Sequence, residues 1–221
     1  MRKLLPLLLL PVLAAPVAAQ DFEGSIAMKM TSANTPEPIT MTFYHAGDRQ
    51  AMVMAMPSGP MAGKQVRMVI NPTTKKLTML MPMPPGMPGK GMKMVMDFGT
   101  MADQAEAKTT DAKVTALGTS QKIAGMSCDD YEVTTQDETI KICMTDQLGR
   151  YNFPTMTGRG RPQLPEWASA FGNKPVFPLK VWKDDGSMSM EVTTIQRGPV
   201  DPTLLEDNPE GYMSMPSGMG S

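Results

Sequence analysis

The sequence predicts a mainly β protein of antiparallel strands with one or two short helices, and three observations carry that prediction. Apolar and polar residues alternate along most of the chain, which is the period of a half-buried strand. Clusters of Pro, Gly, Asn and Asp separate the alternating runs at short intervals, as turns between strands require. Methionine, 25 of 221 residues, recurs at every second position at Met28/Met30, Met52/Met54/Met56, Met79/Met81/Met83, Met92/Met94/Met96 and Met188/Met190. In an extended strand that spacing puts successive thioethers on one face, roughly 7 Å apart.

Residues 22–31, 39–45 and 50–56 alternate cleanly and read as meandering strands. Residues 66–70 and 76–81 flank Asn71-Pro72-Thr73-Thr74-Lys75, a turn-forming stretch that makes them a hairpin. Residues 82–91 read P-M-P-P-G-M-P-G-K-G, too short of amide donors for a ladder and too broken for a helix, hence a methionine-rich loop. A short strand is expected at 92–98 and a polar link with room for a short helix at 101–110. Strands follow at 113–117, 121–124, 127–134 and 139–144, the last two joined by a turn near Thr135-Gln136-Asp137. Residues 164–172 begin with a proline one residue in and end with glycine, with Trp167 and Phe171 four apart on one face, predicting a short helix docked on a sheet. Residues 177–183 and 187–196 form a last hairpin about Asp184-Asp185-Gly186.

The amino terminus has the charged, greasy and small-residue order of a secretory signal peptide: Met1-Arg2-Lys3, an apolar run to Ala15, then Val17-Ala18-Ala19. Cleavage after Ala19 is expected. The apolar run is too short to span a bilayer and no second one follows, so the chain is not expected to be an integral membrane protein. No cysteine lies near the cut for lipid attachment. The organisation expected is a signal peptide at 1–19, one β-rich domain at 20–206 and a flexible Met/Gly/Ser tail at 207–221, in the periplasm or secreted. Basic residues number 21 against 22 acidic, and removal of Arg2 and Lys3 tilts the balance further, which argues against nucleic acid as a partner.

Two cysteines, an even count, favour a disulfide in an oxidising compartment. A turn closing symmetrically between Thr135 and Gln136 sets Cys128 opposite Cys143 across an antiparallel ladder. A loop of that length stabilises by roughly 3 kcal/mol in the chain-entropy account. Two unconnected buried thiols are the alternative.

F-E-G-S-I at 22–26, K-I-A-G-M-S-C-D-D-Y-E-V at 122–133, P-L-K-V at 178–181, and M-E-V-T-T-I followed by D-P-T-L-L and G-Y are strand and turn patterns spread over most of the mature chain. They resemble an exported bacterial family of domains of unknown function that is itself similar to the LolA-like lipoprotein-carrier superfamily. The resemblance implies a strongly curved antiparallel sheet, a half-barrel, with short helices in or over its concave side. It implies an apolar concavity of the kind that holds lipid or acyl chains, and it carries over no catalytic residue.

The residues themselves offer little chemistry. His45 is the single histidine and ends a strand at a turn, where a surface position is expected. There is no C-x-x-C, H-E-x-x-H, G-x-G-x-x-G or G-x-S-x-G. Asp129, Asp130 and Glu132 are expected to split between two strand faces as a solvated edge. No enzyme activity is expected. The functional expectation is a binding or carrier protein for a hydrophobic ligand, lipid or acyl chain, or for a partner segment, with Met28, Met30, Met52, Met54, Met79, Met81, Met94 and Met190 lining the hollow. No cofactor is needed for that reading. An alternative assigns Met83, Met87, Met92, Met213 and Met215, which lie among or beside Pro, Gly and Ser, to Cu(I) or Ag(I), soft ions that accept thioether ligands. A third is an envelope protein that recognises another protein through a strand edge.

Overall fold

The computed structural model describes residues 22–33, 35–56, 62–71, 73–83, 86, 88–97, 112–136, 138–151, 153, 155–156, 162–163, 165–171 and 174–215. The expected signal peptide, the link at 101–110, and Met87 lie outside the described residues.

The first six strands are β1 (Gly24–Ser32), β2 (Thr35–Ala46), β3 (Arg49–Ala55), β4 (Gln65–Asn71), β5 (Lys76–Pro82) and β6 (Gly91–Asp97). They are followed by β7 (Lys113–Ile123), β8 (Met126–Thr134) and β9 (Thr139–Thr145). The short pair β10 (Thr155–Met156) and β11 (Pro162–Gln163) and the helix α1 (Glu166–Ala170) precede β12 (Phe177–Trp182) and β13 (Met188–Arg197). A 3-10 turn at Pro202–Leu205 and β14 (Tyr212–Ser214) complete the described chain. Twelve strands form one open sheet in the order β14-β6-β5-β4-β3-β2-β1-β13-β12-β9-β8-β7. Every neighbouring pair is antiparallel except β14 and β6.

Ring contacts show the curvature. Phe43 on β2 and Phe177 on β12 stand three strand spacings apart, about 14 Å in a flat sheet. Their centroids are 5.8 Å apart, so the sheet bends round the face both rings occupy. That inner face carries the main core, which runs from Ile26, Met28 and Phe43 through Met52, Met68 and Met79 to Ile140, Ile142, Leu179 and Val192. Leu148, Tyr151, Phe153, Trp167 and Phe171 fill one half of the hollow. Tyr151 packs on Phe43 and Trp167, Phe153 on Phe43, and Phe171 edge-on against Tyr131. The expected short helix with Trp167 and Phe171 facing a sheet is therefore present, on the concave side.

The outer face has its own small core. Leu205, in the 3-10 turn, packs with Ala51, Val69 and Leu80, flanked by Tyr44 and Tyr212. Residues 201–215 strap across that face, with Arg67 Nη1 donating to Thr203 O at 2.7 Å, Asn71 Nδ2 to Asp207 Oδ2 at 2.9 Å, and Lys93 Nζ bonding Asn208 Oδ1.

Three expectations need correction. The flexible tail expected at 207–221 is structured over 207–215, where the strap holds it down and 212–214 pair with β6 as β14, and 216–221 lie outside the described residues. The strands expected at 113–117 and 121–124 are one strand, β7, whose register shifts between Ala116 and Ser120, with Gly118 at φ 71° inside the shift. A bulge of this kind looks like a break in alternation when only the sequence is read. The β8–β9 turn is centred one residue later than 135/136, since Thr135 N bonds Glu138 O and Thr134 pairs with Thr139, and that moves the register by two. Asp130, not Cys128, thus stands opposite Cys143. The two sulfurs still meet diagonally, at 2.03 Å, with Cα atoms 5.3 Å apart.

Candidate functional site

Register decides how the methionines assemble. Antiparallel neighbours keep paired residues on the same face, so the pairs can be followed from strand to strand. One row runs Ile26, Phe43, Met52, Met68, Met79, Met94 across β1 to β6. A second runs Val192, Met28, Met41, Met54, Val66, and a third joins Met190, Met30 and Ile39. All eight methionines expected to line a hollow therefore share the inner face. Four of them, Met28, Met52, Met79 and Met190, are buried in the core, while Met30, Met54, Met81 and Met94 are half-buried against it.

The set that the alternative reading assigns to a metal is split. Met83, expected to be exposed in its loop, is buried. Met92 and Met213 stand in register on β6 and β14. Met215 follows, its amide bonded to Lys93 O at 2.8 Å.

Across the sheet, between α1 and the β8–β9 strands, lies a cavity of about 360 Å³ that the sequence reading did not locate. Its walls include Cys128, Tyr131, Met144, Ala170, Phe171 and Val176, and Asp129, Asp146 and Lys174 stand exposed at its rim. None of the eight expected lining methionines touches it. Its signal was present in the helix prediction: a docked aromatic helix props a gap against the sheet it covers, but which strands it covers is a long-range fact.

Two polar positions also depart from expectation. His45 is 4% exposed, its ring edge-on to Phe22 at 6.0 Å, and burial lowers its pKa to about 4. It is neutral at ordinary pH. Across the β2–β3 ladder it faces Gln50, also buried, whose Nε2 donates to Arg150 O at 3.5 Å. His45 Nε2 and Gln50 Oε1 have no protein partner among the described residues. The alternation itself held the clue, because His45 has the parity of Met41 and Phe43. Asp130, expected at a solvated edge, is buried and accepts from Thr119 Oγ1 and Gln121 Nε2, both at 2.8 Å. The β7 bulge supplies Thr119, while Asp129 stays exposed and accepts from Ser120 Oγ. Among the described residues no group of three His, Cys, Asp or Glu side chains is arranged to hold a metal, and no helix is long and apolar enough to cross a membrane.

The strand sequence from Phe22 to Tyr212 is matched as a whole by the profile of DUF4412, a domain family of unknown function, over residues 22–212. The chain belongs to the DUF4412 family. No curated protein matches it in sequence. Among solved structures it is similar to PNGF-II in a C2 crystal form, at 12% identity and TM-score 0.49, over 87% of this chain and 31% of that one. It is also similar to MucB in complex with MucA(peri), at 12% identity and TM-score 0.39, over 88% of this chain and 56% of that one. This DUF4412 chain thus spans about a third of the first and just over half of the second.

Proposed function

We propose that this protein is a non-enzymatic carrier or binding protein that works outside the cytoplasm and holds an apolar ligand, a lipid or acyl chain, in the hollow of its bent sheet. The observation that carries the reading is the cavity of about 360 Å³ between α1 and β8–β9, at the small end of ligand-sized pockets. Its buried wall is mostly apolar, with Cys128, Met144 and Phe171 beside the single polar Thr145, and it is charged where it meets water, at Asp129, Asp146 and Lys174. That arrangement suits a chain with an apolar body and a polar end. Toward the other end of the same sheet face, the half-buried methionines of β1, β3, β5 and β6 offer an adaptable surface that accepts more than one ligand shape. Holding rather than transforming is supported by the fate of the reactive groups. The single histidine is sealed in the core away from the cavity, and the two thiols lie at disulfide distance. That cysteine pair and the signal-peptide pattern of residues 1–19 support export.

Native mass spectrometry of the protein purified from its producing cell, followed by displacement of a fluorescent fatty acid, tests the reading. A lipid-sized adduct and a probe blocked by Val176→Trp or Ala170→Leu are expected, both variants keeping the wild-type fold by circular dichroism. An adduct-free protein whose probe signal ignores both substitutions overturns it.

A further inference from the structure

The C-terminal strap delivers a methionine to a place the core does not use. Met81 pairs with Met92, and Met92 pairs with Met213, so three thioethers stand in one row on three adjacent strands, β5, β6 and β14, at the edge of the sheet. Parity puts the row on the inner face. Gly91 would carry a Cβ only 2.5 Å from the Tyr212 ring, which packs with the outer-face core, so the residues after each, Met92 and Met213, face inward.

Packing does not account for the row. Met81 touches the core, but Met92 and Met213 are not among the described side chains packed on it, and Met213 is 51% exposed. The segment that carries Met213 is nevertheless held in place. Lys90 N bonds Gly211 O at 3.0 Å and Met215 N bonds Lys93 O at 2.8 Å, fixing β14 at both ends, and the contacts of Arg67, Asn71 and Lys93 anchor the strap before it. An exposed, flexible, oxidisable side chain is thus positioned by more hydrogen bonds than a disposable tail needs.

We propose that Met81, Met92 and Met213 form a binding site for a soft monovalent metal ion, Cu(I) or Ag(I). A thioether is a neutral, polarisable donor that soft ions accept and that hard or borderline ions accept poorly. Neighbouring strands lie about 4.8 Å apart, and the three rotatable bonds of each methionine let the two outer sulfurs lean toward the central one. Trigonal thioether coordination is therefore within reach without moving the backbone. Zn(II) has no comparable donor set, since no described cluster of His, Cys, Asp or Glu supplements the row. The site is separate from the α1 cavity, so neither proposal depends on the other.

The test is anaerobic titration of the mature protein with Cu(I) against a chromogenic chelator, and with Ag(I) followed by NMR of ¹³C-methyl methionine. One equivalent is expected to bind and to shift the Met213 methyl resonance, with Zn(II) producing no shift. Met92→Leu and Met213→Leu keep volume and apolarity and are expected to weaken binding by more than about tenfold, the lower end of what even outer-sphere changes cost a metal site. Met188→Leu, on β13, is expected to leave it unchanged, as is Val176→Trp in the cavity. If Met92→Leu disturbs the fold, Met213→Leu decides alone, because that side chain is exposed at the edge. Binding that survives Met213→Leu, or that falls equally with Met188→Leu, overturns the site.

Discussion

His45 shows how a single residue ties this fold to pH. Its pKa falls to about 4 because burial disfavours the imidazolium, while in the unfolded chain it sits near the ordinary value of about 6.5. Between those values the unfolded state binds the extra proton, so stability is full above pH ~6.5 and is lost as pH falls toward 4. The loss from this residue between pH 7.5 and 5 is expected to be about 2 kcal/mol. Urea midpoints measured across that range should show it, and a His45→Gln variant should flatten the slope. An identical slope in both proteins would place the histidine in water. Phe43 is the second residue with a disproportionate role. It is fully buried and meets Tyr151, Phe153 and Phe177 at once. Phe43→Ala is expected to cost about 3–5 kcal/mol, read from the same denaturation curves, with a loss under ~1 kcal/mol refuting its place at the centre of the bend.

Among the elements, the pairings of β1 and β14 each depend on one glycine. Gly24 has φ 145° and its Cβ would lie 2.0 Å from Gln196 O on β13. Gly24→Ala must push β1 off β13 or strain the backbone, at a cost of at least ~2 kcal/mol. Gly91 is different, because its Cβ would strike Met81 O and the Tyr212 ring at the sheet edge. Gly91→Ala is expected to release β14 and loosen the end of the β5–β6 pairing at Met81, while β1 to β4 stay intact. Hydrogen exchange reads this directly: the Met215 and Lys90 amides, bonded across the β6–β14 junction, lose protection, and those of β1 and β2 keep theirs. Uniform loss across the sheet would mean that β14 is integral to the fold rather than an added strand. The elements legible in the sequence were those with clean alternation. Strands β1 to β6, β8, β9, β12 and β13 fall within a few residues of where period and turn signals put them. β14 was missed because Y-M-S is three residues long among Gly, Ser and Pro. Its strand state comes from β6 and from the strap's anchors, not from its own composition.

For the whole molecule, the Cys128–Cys143 link joins β8 to β9 over a separation of 15 residues. Closing a loop of that length stabilises by roughly 3 kcal/mol, which in a domain this large corresponds to a melting-temperature drop of roughly 6–12 °C on reduction. Calorimetry with and without reductant checks it, and coincident transitions would show that the bond constrains nothing. The fold should survive reduction, because the cross-link staples two strands already paired along their length.

The amino-acid order alone determined the strand class and the sharing of a face by each M-x-M pair, because side-chain alternation is a local property with a period of two. It also paired the cysteines, though by a turn two residues out of register. Only the tertiary structure decided which strands neighbour each other, how far the sheet bends, and that its hollow is divided into an aromatic half filled by Tyr151, Phe153, Trp167 and Phe171 and a methionine half. It alone carried Met213 across the outer face to stand beside Met92. Order, curvature and register join residues such as Met81 and Met213, more than a hundred positions apart, and no local period encodes a contact at that distance.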